Sequence, residues 1–380
     1  TEMWMKVVNE CNGVMPLKVQ ILPEGTFIPT GAPFCQIRNT KDGFGELVTW
    51  FEPVLMHAYF SSHCATRAVE IKQYLEEKKD QYGYDDSFMW RVHSFGFRGH
   101  RSMEDSHWAG TAWNLALNGT DDFHTSLYTP SAVIGSISAL AHKVTQQFDD
   151  EYQCFVRAID QASTQKNKIV AMVIDTYNAS NVIENYIVKL ARYAKDKGVH
   201  CVFRPDSGDI KAQALRMYQI ASENGLDNTS VILGEGISFE VIKEYDAWFE
   251  SKDVPLSFVS YGLGSGFYND IERDGLGWAM KTAYSNGSPR MKIAGFKSST
   301  PDVVSVFNND EDLIVFRESE EPIKDGGLYQ TIYNNGIVED FDWNVVKTRV
   351  NGLKKLDFSK KVIIDDGIQS LIETLKKKHL

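Results

Sequence analysis

The sequence has no long hydrophobic run. Nowhere do apolar residues continue for the roughly 20 positions that a bilayer-spanning helix needs, so no membrane role is expected. The opening residues lack the basic, apolar and small-residue pattern of a secretory signal. Cysteine is sparse: Cys11, Cys35, Cys64, Cys154 and Cys201 are odd in number, scattered, and never in a C-x-x-C pair. That argues against a disulfide framework or a zinc site and fits a reducing, cytoplasmic compartment. Positive charge is in deficit, with 40 Lys+Arg against 51 Asp+Glu and a net charge of −11. Nucleic acid is therefore not an expected partner, although a small anion in a locally basic pocket remains compatible with that balance. Internal repeats and low-complexity linkers are also missing.

The chain has 380 residues, 43% of them hydrophobic. That is enough for a substantial core and, at roughly 150 residues per domain, for two or three domains. Residues 1–45 are punctuated by Pro and Gly, with strand-like runs at Leu17–Leu22 and Phe34–Arg38. Residues 46–285 alternate helical patterns with short apolar strands. Helices are expected over Leu47–Lys79, Ser102–Leu117, Ala179–Lys197, Ile210–Asn224 and Ser238–Phe249, with helical pieces in Val133–Gln161. Strands are expected at Met89–His93, Ile169–Ile174, His200–Phe203, Ser230–Leu233 and Leu256–Ser260. Non-alternating strands, each followed by an amphipathic helix, mean a parallel sheet buried on both faces. Residues 286–360 return to short strands, including Val303–Phe307, Leu313–Phe316 and a hairpin signal at Tyr333–Ile337, before a C-terminal helix near Asp366–Lys378. The expected fold class is α/β. A central (β/α) barrel spans 46–285, with a β-rich flanking domain from 1–45 and 286–360 and a closing helix in 361–380.

Each apolar strand of the middle zone runs into a polar or glycine-rich cluster. These are His93–Gly99, Gly119–Asp122, Asp175–Tyr177, Arg204–Asp209, Gly234–Gly236 and Gly262–Gly266. In a (β/α) barrel the loops after the strands converge on one site. Glycine turns let backbone N–H groups approach phosphate, arginine forks bind its oxygens, and carboxylates hold magnesium. The set suits a phosphate-bearing ligand with a divalent metal. Taken singly, each cluster also has a plain structural explanation: Asp206–Asp209 as a helix cap, Asp175 as a turn residue, Phe95 as core. Other chemistries lack their motifs. The sequence contains no G-x-x-x-x-G-K-[ST], no G-x-G-x-x-G, no H-E-x-x-H and no G-x-S-x-G. Nor do paired acids precede Asp175, as in the phosphoribosyl loop of Rossmann-like transferases. His63, His100, His107, His124 and His200 read as surface or satisfied core residues.

Taken together and in order, these motifs resemble the nicotinamide phosphoribosyltransferase family of type II phosphoribosyltransferases, from about Leu17 to Val350. Leu22-Pro23-Glu24-Gly25 with Ile28-Pro29 is similar to the family's Val-Pro-Glu-Gly entry, and His93 to Gly99 to its His-Asp-Phe-Gly-x-Arg-Gly loop. Gly119-Thr120-Asp121, Asp175-Thr176-Tyr177, Arg204 to Gly208 and Gly234-Glu235-Gly236 resemble Gly-Thr-Asp, Asp-Ser-Tyr, Arg-Pro-Asp-Ser-Gly and Gly-Asp-Gly. Gly262 to Gly266 with Arg273-Asp274 and Lys281 resembles Gly-Ser-Gly-Gly-Gly, Arg-Asp and Lys.

The resemblance implies a homodimeric transferase joining nicotinamide to a ribose-pyrophosphate donor (PRPP). Phe95 would stack on the pyridine ring, with His93 in the same loop, and Asp121 and Arg204 would bond its carboxamide. Arg98, Arg273, Lys281 and Gly264, Ser265 and Gly266 would hold phosphate and pyrophosphate. Asp175, Asp206 and Glu235, beside Gly234, would anchor the ribose or Mg2+, the metal ligands being Asp206 and Glu235.

The sequence also departs from the family. Ile134 aligns with the histidine that ATP phosphorylates in the family's Ala-Ala-Glu-His-Ser segment, so ATP coupling is not expected. The region 295–302 has lost most of the charge of a basic Ser-Lys-Lys-Gly-Arg segment, which points to ADP-ribose pyrophosphate as an alternative donor, giving NAD directly. The family's N-terminal segment, with Asp-Ser-Tyr-Lys-x-x-His, has no counterpart here, so the β-rich flank is expected to be incomplete. A third reading is an inactive nicotinamide- or nucleotide-binding paralogue.

Overall fold

A computed structural model of the chain describes residues 2–129, 135–294, 297–309, 312–320, 327–353 and 356–379. The chain divides into two units, Thr1–Tyr59 with Glu272–Leu380, and Phe60–Ile271.

The unit Phe60–Ile271 is built on one parallel sheet. Its strands are β1 (Val92–Ser94), β2 (Ser138–Ala139), β3 (Ile169–Val173), β4 (His200–Arg204), β5 (Thr229–Leu233) and β6 (Val259–Leu263). The spatial order β1-β6-β5-β4-β3-β2, with every pairing parallel, makes an open half-barrel. The central strands are buried on both faces, which explains their unbroken apolar runs. Ala171, Val202 and Ile232, one from each of three neighbouring strands, form an apolar cluster. Between the two edge strands lies the segment 119–122. Asp121 and Asp122 reach His93 and Ser94 on one side, and the Thr120 carbonyl accepts from Gly135 N–H on the other.

Capping sets the helix starts. Ser102, Asp150, Asp209 and Ser238 each accept a backbone N–H of the first turn, at the heads of Met103–Ala116, Glu151–Ser163, Ile210–Glu223 and Phe239–Glu250. A buried ion pair joins the sheet to the last of these helices. Both Arg91 Nη atoms bond Asp246, at 2.7 and 2.9 Å, while Tyr74 and Tyr261 donate to the same carboxylate and Arg91 Nε donates to Val259 O.

The expected elements shift where turns intervene. Asp85 caps a 3-10 turn over Asp86–Trp90, so the first strand is Val92–Ser94 rather than Met89–His93. A 3-10 turn at Leu256–Phe258 moves the last strand three residues onward. The expected helix Ala179–Lys197 is two, Ala179–Asn185 and Ile187–Asp196. β2 stands where only helical pieces were expected, being too short to show any periodicity.

In the other unit, Leu17–Ile21 pairs antiparallel with both Cys35–Asn39 and Gln330–Asn334. The hairpin to Ile337–Val338 turns through Asn335 (φ 50°) and Gly336 (φ 89°), as a type I′ turn requires. Val304–Asn309 and Asp312–Arg317 form a second antiparallel pair, extended in parallel by Val362–Ile364. The long helical pattern expected from Leu47 is interrupted at His57, between Glu46–Met56 and Ala58–Tyr82. The helices Glu2–Cys11 and Trp343–Asn351 were not foreseen, and Asp366–His379 closes the chain. Among the described residues no helix is long and apolar enough to cross a membrane.

Candidate active site

Five of the six clusters singled out in the sequence stand at the C-terminal ends of the parallel strands; Gly119–Asp122 instead follows the helix Met103–Ala116 and ends no strand of the sheet, which corrects the expectation for that cluster. His93 lies in β1, and its Nδ1 is 3.0 Å from Asp121 Oδ2. Both side chains are 15% exposed. The next carboxylate, Asp122, is only 5% exposed and accepts from Ser94 Oγ (2.7 Å) and from Phe97 N–H (3.1 Å). Burial pushes the Asp122 pKa above the ordinary carboxylate value, against the lowering effect of those two donors.

Phe95 donates its N–H to Leu263 O at 2.7 Å. Its ring packs with Ala171, Val202 and Ile232 and lies directly over Gly262, where a Cβ would fall 2.1 Å from Cε2. Only glycine can stand at 262 with the ring in this place. Arg98 is exposed on the 3-10 turn Phe97–Gly99.

Asp175 follows β3 and is held from two sides, by His142 Nε2 at 3.0 Å and by the Ser207 hydroxyl. Arg204 ends β4, and its Nη2 lies 3.7 Å from Asp206 Oδ2. Its Nε is buried without a partner among the described residues. A buried donor left unpaired costs about 1–3 kcal/mol, and a ligand oxygen placed there would remove that cost. Beside Asp206, a Cβ on Gly234 would lie 3.5 Å from Oδ1, and Glu235 is exposed on the following loop.

Gly264, Ser265 and Gly266 follow β6. A Cβ on Gly264 would meet nothing within 4 Å, so this backbone faces open space, whereas one on Gly266 would fall 2.2 Å from Ile237 O. Packing therefore requires glycine at 266, while 264 is free for a ligand to approach.

Arg273 and Lys281 belong to the other unit. Arg273 donates to Trp278 O and pairs with Asp274, Lys281 donates to Met280 O, and both are exposed.

Among the described residues no three His, Cys, Asp or Glu side chains stand together as metal ligands. Asp206 and Glu235 therefore do not form a closed protein cage. Asp206 follows β4 and Glu235 follows β5, the strand paired with it.

One site residue was missed in the sequence. His142, which contacts Asp175, follows shortly after the edge strand β2. Ile134 lies outside the described residues, as do Gly295 and Phe296 of the charge-depleted region.

Comparison with known proteins follows the same lines. The family described as nicotinate phosphoribosyltransferase (NAPRTase) matches residues 90–293. A nicotinamide phosphoribosyltransferase of Acinetobacter baylyi is 25% identical over 373 residues, covering 85% of this chain and 74% of the relative. One from Xanthomonas campestris pv. campestris is 26% identical over 301 residues, covering 73% and 64%. The chain thus spans about two thirds to three quarters of the length of these relatives. A nicotinate phosphoribosyltransferase structure from Porphyromonas gingivalis overlays with a TM-score of 0.38 at 15% identity, covering 68% of this chain and 63% of that one.

Proposed function

The chain belongs to the nicotinate phosphoribosyltransferase family, and on that premise we propose that it joins nicotinamide to PRPP, giving nicotinamide mononucleotide and pyrophosphate. The observation that carries the choice of pyridine is a pair of polar side chains. Asp121, beside His93, offers an acceptor, and Arg204 offers a buried Nε–H with no partner among the described residues. A carboxamide presents the complement, an NH₂ and a C=O. A nicotinate carboxylate would meet Asp121 as a like charge.

The pyridine nitrogen carries no proton, so bond formation at the ribose anomeric carbon needs no general base. The new C–N bond forms as the C–O bond to pyrophosphate breaks, and the ring nitrogen becomes a pyridinium. Catalysis then rests on aim and on charge. Phe95, fixed over Gly262, sets the plane of the ring. Asp175 and Asp206 face the positive charge that develops on the ribose. Arg98 and the open backbone at Gly264 receive phosphate. Mg2+, where bound by Asp206 and Glu235, would neutralise the leaving pyrophosphate. Removing it with EDTA should abolish turnover and leave nicotinamide binding intact, as calorimetry would show.

ADP-ribose pyrophosphate remains the second donor to test. Incubating nicotinamide with each donor and separating products by mass decides the matter. Mononucleotide from PRPP alone is expected. NAD from the larger donor would transfer the proposal to it, and tight nicotinamide binding with neither product would favour a non-catalytic binder. Dimerisation belongs to the same proposal and is checked by light scattering.

A further inference from the structure

The loop that carries Phe95 and Arg98 is gripped from two directions by residues with no role in the reaction as derived above. From the 119–122 segment, Asp122 accepts from Ser94 Oγ before Phe95 and from Phe97 N–H after it. From the far side of β6, Tyr268 donates its hydroxyl to Gly96 O at 2.6 Å, and its ring stacks on His100 with centroids 3.7 Å apart. Tyr268 fits closely against the turn at two positions. A Cβ on Gly96 would fall 2.9 Å from Tyr268 Cε1, and one on Gly99 2.8 Å from Tyr268 Oη. Both anchors are themselves buried, Asp122 at 5% and Tyr268 at 7% exposure.

We propose that Asp122 and Tyr268 are positioning residues, which clamp residues 94–99 between two neighbouring loops and so fix where Phe95 and Arg98 stand. The pattern explains Ser94, the place where the resembling family motif carries Asp. Here the carboxylate comes from Asp122 across the gap, and Ser94 supplies the hydroxyl that meets it. A side chain that only filled space would not need to satisfy the peptide that follows Phe95. Asp122 takes its Phe97 N–H and Tyr268 its Gly96 carbonyl, so that one peptide is held at both ends, while the Ser94 hydroxyl ties the chain before Phe95 to the same carboxylate. Misplacing a positioned group by about 1 Å can cost on the order of 100-fold in rate.

The inference rests on the transferase reading for its kinetic consequence but not for the clamp itself, so the test has two arms on the full chain. Hydrogen–deuterium exchange over residues 94–100 reads the clamp directly. Asp122→Ala and Tyr268→Phe should speed exchange there by about tenfold or more while the rest of the sheet is unchanged. Asp122→Asn, whose amide oxygen can still accept from Phe97 N–H, should restore most of the protection. Steady-state kinetics reads the consequence. In Asp122→Ala and Tyr268→Phe, kcat/KM for nicotinamide should fall about tenfold or more, with KM for nicotinamide raised, and Asp122→Asn should recover much of it. Unchanged exchange in both variants overturns the clamp. Faster exchange with unchanged kinetics overturns the positioning role. A wild-type chain inactive with either donor overturns the transferase reading, and the exchange arm then still decides whether the clamp exists.

Discussion

At the scale of single residues, the proposed selectivity between an amide and an acid rests on Asp121. Its carboxylate stands 3.0 Å from the His93 imidazole and is largely shielded from water. Asp121→Asn and Asp121→Ser remove the like-charge penalty against nicotinate. The ratio of kcat/KM for nicotinamide over nicotinate should fall about tenfold or more in both, measured by competition between the two pyridines. His142 allows a second residue-scale prediction. If Asp175 orients it as a phosphate acceptor, incubation with radiolabelled ATP should leave an acid-labile label on the wild type and none on His142→Gln. That Phe95, Arg204 and Asp206 follow or end parallel strands was legible in the sequence. Asp122 and Tyr268 were not legible, because a buried carboxylate and a phenol acquire their roles only from the backbone groups brought against them.

At the scale of elements, the sheet depends on one buried charge pair. Arg91 precedes β1, Asp246 sits on Phe239–Glu250, and Arg91 Nε also holds the Val259 carbonyl at the start of β6. Asp246→Ala leaves a buried guanidinium uncompensated. It should destabilise the unit by about 3–5 kcal/mol, read from urea unfolding. A double replacement of Arg91 and Asp246 by apolar residues of similar volume should recover a large part of that loss. Gly266→Ala meets the Ile237 carbonyl and should disrupt the turn after β6, with loss of activity well beyond that of Gly264→Ala. Elements with a strong period were readable: the central strands, and helices such as Ile210–Glu223 with its Asp209 cap. β2, at two residues, and the break at Tyr186 were not, because pairing partners and neighbouring turns decide them rather than local pattern.

At the scale of the molecule, a net charge of −11 sets the long-range field. The chain should not shift duplex DNA in a gel at low salt, and retention there would contradict the reading of its positive charge as local. Parallel strands followed by helices were visible in the sequence, and so was the α/β class, but the order of the sheet was not. β1 pairs with β6, the last strand made, and Arg91 reaches a carbonyl 168 residues further on. That pairing has a consequence in time. At roughly 5–20 residues per second of synthesis, β1 waits on the order of ten to thirty seconds for the strand that completes it. During that interval its edge is open, and neither Phe95 nor its Gly262 floor has found the other. The placement of Phe95 in the candidate site is therefore among the last features of this unit to form on the ribosome, and a nascent chain stalled before Leu263 would carry most of the sheet without that ring in its place.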